Sequence, residues 1–108
     1  MTPSEIEAML EELGIPYRYN HFTQREMEDV NLPIAVWNIP GTTNFFADGK
    51  VYQKISKLDI ELYSDTKDWE LEKRMEGILD KNGISWEQTA SEWLESENMW
   101  ESLYEMEV

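Results

Sequence analysis

The sequence predicts an α+β fold, with two helices packed on one face of a mainly antiparallel β-sheet in the order α-β-β-β-α-β-β. Three observations lead there. Two segments, one at the N-terminus and one around residue 75, carry apolar residues at helical spacing, and each ends at a glycine. Residues 51–63 and 99–108 alternate apolar and polar residues instead, as strands do. The 108 residues contain no linker and no low-complexity segment, so residues 1–108 form one domain. A chain of this length buries roughly 60–65% of its unfolded surface in one modest core.

Each element has a local reason. Thr2-Pro3-Ser4-Glu5 is a compact helix start: Thr2 caps, Pro3 fits the first helical position and Glu5 completes a capping box. Ile6, Met9, Leu10 and Leu13 make one apolar stripe, and Gly14 followed by Pro16 stops the helix. Tyr17 to Phe22 alternates and reads as a first strand. Thr23 to Leu32 is polar and acidic and reads as a loop. Pro33 and Pro40 bracket a second strand containing Ile34-Ala35-Val36-Trp37-Asn38-Ile39. Gly41 to Gly49 reads as an exposed loop or a wide hairpin tip.

Val51 to Tyr63 reads as one long strand. Its apolar parity changes midway, from Val51 and Ile55 to Leu58, Ile60 and Leu62, which predicts a bulge or bend near Ser56. Ser64, Asp65, Thr66 and Asp68 offer caps for a second helix with a stripe of Leu71, Met75, Ile78 and Leu79. Glu70 and Arg74 are spaced for an ion pair. Asn82-Gly83 ends this helix, much as Gly14 ends the first. For the C-terminal region a helix from Ser91 would align Trp93, Trp100 and Tyr104. A hairpin is preferred, with strands near Ser85–Glu95 and Met99–Val108 and a turn at Ser96-Glu97-Asn98.

Charge narrows the classes of function. Net charge is -14, and the last 27 residues carry seven Glu and no base. Such a field repels phosphates and anionic lipid surfaces, so no direct nucleic-acid binding and no membrane contact are expected. It suits a basic partner, a conduit that DNA must pass without sticking, or simple solubility. Mean hydropathy of -0.62 and the lack of a long apolar run argue against a membrane span. MTPSEIEAML has neither the basic nor the apolar region of a signal peptide. With no cysteine there are no disulfides and no thiolate metal sites.

Catalytic constellations are weak. His21 is the single histidine and cannot make a zinc site alone. Asp59 and Glu61 share a strand face and could divide acid and base roles or hold a hard cation, but a strand with one solvated face carries such residues routinely. No phosphate-binding glycine loop, nucleophile elbow or calcium loop is present. Neither catalytic residue nor metal nor cofactor is therefore assigned. Binding residues are easier to name. Phe45 and Phe46 sit side by side in a turn-rich segment, where they either anchor an interface or send one ring back into the core. Lys50, Lys54 and Lys57 form a small basic patch near Tyr52, readable as a contact to an acidic neighbour or as a strand edge guarded by charge. Glu101, Glu105 and Glu107 form an acidic face on the last strand.

Residues 44–79, NFFADGKVYQKISKLDIELYSDTKDWELEKRMEGIL, resemble a family of small virion proteins of tailed bacteriophages. In that family an F-A-D-x-K-V-Y turn leads into I-E-L-Y-(T/S)-D-x-K-D and then a helix. The ending from Glu95 to Val108 is similar to the family's E-S-E-x-M-Y…Y-E-F-E-V. Gly14-Ile15-Pro16-Tyr17 with His21-Phe22 is similar to its T-G-(L/I)-P-(V/F)-x-Y-x-x-F. Trp69 departs from a frequent proline after K-D, which touches only the first helical turn. The family is that of the tail completion, or tail terminator, proteins of siphophages and related prophages. The resemblance implies an α+β subunit of a ring, possibly a hexamer, that caps the tail tube and joins it to head–tail connector proteins. It places the protein in the virion, after synthesis in the host bacterial cytoplasm. Its partners would be other copies of itself, the tube protein and the connector. Phe45, Phe46, Lys50, Lys54 and Lys57 would then meet tube or neighbouring subunits, and the acidic face would meet lumen or solvent. Another head–tail connector or minor virion protein is the alternative within the virion, and two other classes stay open: an acidic DNA mimic, and an enzyme, which would need a cleft with perturbed carboxylates.

Overall fold

A computed structural model describes all residues from Met1 to Val108. The chain is α+β, with α1 (Pro3–Glu11), β1 (Tyr17–Tyr19), α2 (Gln24–Asp29), β2 (Ile34–Asn38), β3 (Phe45–Ala47), β4 (Lys50–Gln53), β5 (Lys57–Ser64), α3 (Trp69–Lys81), β6 (Trp86–Leu94) and β7 (Met99–Glu107). Five strands form the main sheet in the order β1-β2-β5-β7-β6. All its neighbours are antiparallel except β1 and β2, which run parallel, so the sheet is mixed. Strands β3 and β4 form a separate two-stranded sheet. No helix is long and apolar enough to cross a membrane.

The capping chemistry read from the sequence is present. Thr2 and Glu5 exchange side-chain and backbone hydrogen bonds at 2.9 and 3.2 Å, closing the box on α1. Asp68 is the residue that caps α3, accepting from the Leu71 amide. Gly83, at φ +70°, lets the chain turn back so that its own amide reaches Asp80 and the Ile84 amide reaches Leu79, both at 3.0 Å. These are the two bonds of a Schellman end.

Four expectations are corrected. The order of elements is not α-β-β-β-α-β-β: the segment read as a loop contains α2. Thr23 and Glu26 form a second capping box there, and the only apolar residue of the helix is Met27, too little for a stripe. The long strand is two strands in two sheets. The parity change near Ser56 marks the break, where Lys54, Ile55 and Ser56 leave regular pairing between β4 and β5. The first strand stops at Tyr19 rather than Phe22, because Asn20 takes a positive φ of 68°. Finally, Arg74 forms no ion pair with Glu70. Its guanidinium donates to the Leu13 carbonyl at 2.6 Å and ties the end of α1 to α3.

One cluster of 14 buried residues holds the body together. Ile6, Met9, Leu10 and Leu13 enter from the first helix and its end, and Leu71, Met75 and Leu79 from α3. Ala35, Trp37, Leu58, Ile60, Leu62, Tyr104 and Met106 enter from the sheet. The register sets Ala35 opposite Leu62, Trp37 opposite Ile60, and Ile60 opposite Tyr104, so these strand residues share one face, the inner face. The C-terminal hairpin forms as expected, with Asn98 at φ 55° in its turn and a bulge between Gln88 and Ala90.

Candidate functional site

Three regions carry side chains beyond the needs of the core. The first is the β3–β4 hairpin, an arm that stands off the body. Asp48 and Gly49 form its two-residue turn with φ of 52° and 73°, the doubly positive pattern that matches strand twist. The arm continues the β2–β5 hairpin past a bend. Thr42 bridges Ser56, the Thr43 amide donates to the Ile55 carbonyl at 2.7 Å, and Ser56 pairs in both directions with Val108. Beyond that base nothing covers it. Phe45 is 56% exposed, Phe46 63%, Val51 52% and Tyr52 75%. Phe45 packs edge-on against Tyr52 with centroids 5.8 Å apart, while Phe46 has no aromatic partner. Both phenylalanines are therefore outside the core, and neither folds back. Lys50 and Lys54 lie on the arm, whereas Lys57 begins β5 in the main sheet opposite Glu107.

The second region is the outer face of the sheet. Alternation along β5 and β7 turns Asp59, Glu61, Glu101, Glu105 and Glu107 away from the core. Pairing then sets like charges side by side: Glu87 opposite Glu105, Glu105 opposite Asp59, and Glu92 opposite Glu101. Partial burial, with the carboxylates of Glu105 and Glu61 beside it, raises the Asp59 carboxyl above its ordinary value. Partial burial with Glu61 nearby does the same to Glu101. Tyr63 donates its hydroxyl to Glu61, and burial together with that bond pushes the phenol up. The predicted acidic face of Glu101, Glu105 and Glu107 is one surface, and the structure enlarges it with Asp59, Glu61, Glu87 and Glu92. No group of three or more His, Cys, Asp or Glu is arranged to hold a metal ion.

Beside these acids lies an apolar pocket of about 300 Å³. Ile34, Val36, Leu94 and Met99 supply sheet side chains, Phe22 and Met27 come from the segment around α2, and Glu61, Glu97 and Glu101 line it as well. His21 follows β1 in a loop and lines the same pocket, with its Nδ1 3.0 Å from the Asn20 side-chain oxygen. A larger open groove of about 1040 Å³ lies at the other end of the sheet, between Pro40-Gly41, Gly83–Glu87 and Glu105–Val108.

The third region was not legible in the sequence. Glu72, 5% exposed, sits under α3 and accepts from Lys67 at 2.8 Å, Gln88 at 2.6 Å and Ser102 at 3.0 Å. Lys67 also donates to Ser91 at 2.8 Å and lies 4.4 Å from the Trp69 ring centre. Tyr104 donates to Glu76 at 2.6 Å and accepts from Gln88 at 3.1 Å, and burial with the Glu76 bond pushes its phenol up. These hydrogen bonds brace α3 on the sheet. The only available signal was the placement of Glu72 and Glu76 four apart beside the apolar stripe, a spacing equally suited to solvent. Inside the body, the buried indole N–H of Trp37 has no partner.

Compared with known proteins, the chain matches no family model and no curated protein.

Proposed function

We propose that this protein is a structural virion component that caps a phage tail tube and joins tail to head as a ring of identical subunits, without catalysis. The observation that carries the reading is the arm: an exposed aromatic and lysine-bearing hairpin on an otherwise acidic body. An isolated two-stranded hairpin is marginal in water, so a surface of this kind is suited to burial against another subunit. The resemblance adds the context. Its F-A-D-x-K-V-Y motif lies on β3, its turn and β4, and its I-E-L-Y-S-D-x-K-D motif runs through β5 into the cap of α3. An acidic surface also suits a ring through which DNA passes, since phosphates are repelled rather than held.

Deletion of the gene from its phage or prophage, followed by negative-stain imaging of the induced lysate, tests this role. Overlong headless tails beside filled heads are expected. Tails of normal length without heads move the role to the connector, and normal particles remove it from essential assembly. The rows of carboxylates on the outer face favour one second reading, an acidic DNA mimic that occupies a basic nucleic-acid-binding protein. That reading requires normal particles on deletion and tight, salt-sensitive binding to such a protein.

A further inference from the structure

The arm and the pocket lie at opposite ends of one strand. The arm leaves the body at Lys57, the first residue of β5, while Glu61 and Tyr63 at the pocket sit near its last. Six residues separate Lys57 from Tyr63, roughly 20 Å at about 3.4 Å per residue. The molecule is elongated, 50 Å in its longest dimension against 28 and 25 Å across. Its radius of gyration of 15.0 Å exceeds the roughly 13 Å of a compact chain this long. At the opposite end of β5, the arm does not touch the pocket of its own chain.

The two surfaces nevertheless complement each other. The arm, residues 45–54, carries two lysines, Lys50 and Lys54, against one aspartate in a chain of net charge -14. The pocket is lined by seven hydrophobic residues together with Glu61, Glu97 and Glu101. The unstacked, exposed ring of Phe46 is the projecting apolar group on the arm, and the pocket is of a size to take one such side chain. An approaching ammonium also relieves the repulsion among Glu61, Glu92 and Glu101, which like-charge pairing otherwise leaves uncompensated.

We propose that the β3–β4 arm of one copy seats on the outer sheet face of a second copy, with Phe46 in the pocket lined by Ile34, Val36 and Met99 and the arm lysines against Glu61 and Glu101. The inference takes from the ring reading only the identity of the occupant, another copy of this chain. The contact is heterologous: the patch on one copy differs from the patch it meets. In a pair one copy therefore retains a free pocket and the other a free arm, and repetition closes into a ring or continues as a filament according to the rotation per step.

The chain lacks cysteine, which permits a direct test. Phe46→Cys and Met99→Cys are made in separate samples, checked for cooperative unfolding, mixed and mildly oxidised. The expected product is a disulfide between the two variants, at least tenfold more abundant than dimer from either variant alone. Adding Glu61→Lys and Glu101→Lys to the Met99→Cys protein abolishes it. Should Met99→Cys fail to fold, Glu97→Cys in the pocket lining replaces it. Predominant Phe46→Cys homodimer, which means arm against arm, overturns the proposal. So does the absence of mixed disulfide, whether the arm meets a different protein or nothing. Failure here beside overlong tails in the deletion strain rejects this contact and leaves the tail role standing. A mixed disulfide beside normal particles does the reverse.

Discussion

The two faces of the sheet treat the same residue in opposite ways. On the inner side Glu72 is buried, yet its carboxylate has an ammonium, an amide and a hydroxyl within hydrogen-bond reach. On the outer side Asp59 and Glu105 face one another across paired strands with Glu87 beyond, and Lys57 is the sole base among them. The inner carboxylate should stabilise the fold, because its loss leaves Lys67 and Gln88 short of an acceptor in a poorly solvated place. The outer carboxylates oppose folding weakly, through repulsion and partial desolvation. The arm shows the same contrast for apolar groups: Ile60 is fully buried in the body while Phe46 stands in solvent.

The sharpest way to break this comparison is Glu72→Ala. It should lower unfolding free energy by about 3–5 kcal/mol, the range for removing one partner of a buried pair. Urea denaturation followed by tryptophan fluorescence measures it, and a loss under 1 kcal/mol would put Glu72 on a par with a surface acid. Next in size, Ile60→Ala in the core should cost about 2–5 kcal/mol.

The outer face predicts changes of the opposite sign. Asp59→Asn removes a charge set against Glu105 and should stabilise by about 0.2–1 kcal/mol at neutral pH. The pH dependence follows from the raised carboxyls of Asp59 and Glu101. A raised folded-state value means that the folded protein binds protons more readily than the unfolded chain. The contribution to stability is therefore fully present below the ordinary values of 3.8 and 4.5, and is lost as pH rises through the raised folded values. Glu5 and Glu26, lowered chiefly by backbone hydrogen bonds at Thr2 and Thr23, act in the other direction and lose their contribution as pH falls. Urea midpoints across this acidic range should be flatter in the Asp59→Asn, Glu101→Gln double variant than in the parent. An unchanged slope would remove the outer face as the source. The smallest effect belongs to the arm. Phe46→Ser should leave the isolated body within about 0.5 kcal/mol of the parent, and a larger loss would mean that the arm packs on its own chain.

Much of the local structure was legible beforehand. The Thr2–Glu5 box, the Gly83 turn, the C-terminal hairpin and the parity break near Ser56 all follow from interactions over a few residues. The second box, Thr23 to Glu26, carried the same signal but lacked an apolar stripe to make it read as a helix. The acidic face was legible in part, because alternation alone sends Glu101, Glu105 and Glu107 to one side. Its extension to Glu87 and Asp59 was not, because strand neighbours are set by register between segments far apart in the chain.

The sequence by itself determined where α1 and α3 start and stop, which acids of the last strand share a face, and that Phe45 and Phe46 lie in a turn-rich segment. Tertiary structure alone decided that β1 runs parallel to β2, that β4 and β5 belong to different sheets, and that Arg74 caps α1 rather than pairing with Glu70. It also decided that Glu72 is buried while Asp59 is not. The reason is physical. Capping and alternation are satisfied within about four residues, whereas the bonds that choose between these outcomes join residues as far apart as Leu13 and Arg74, 61 positions along the chain. Such contacts exist only after the core has closed.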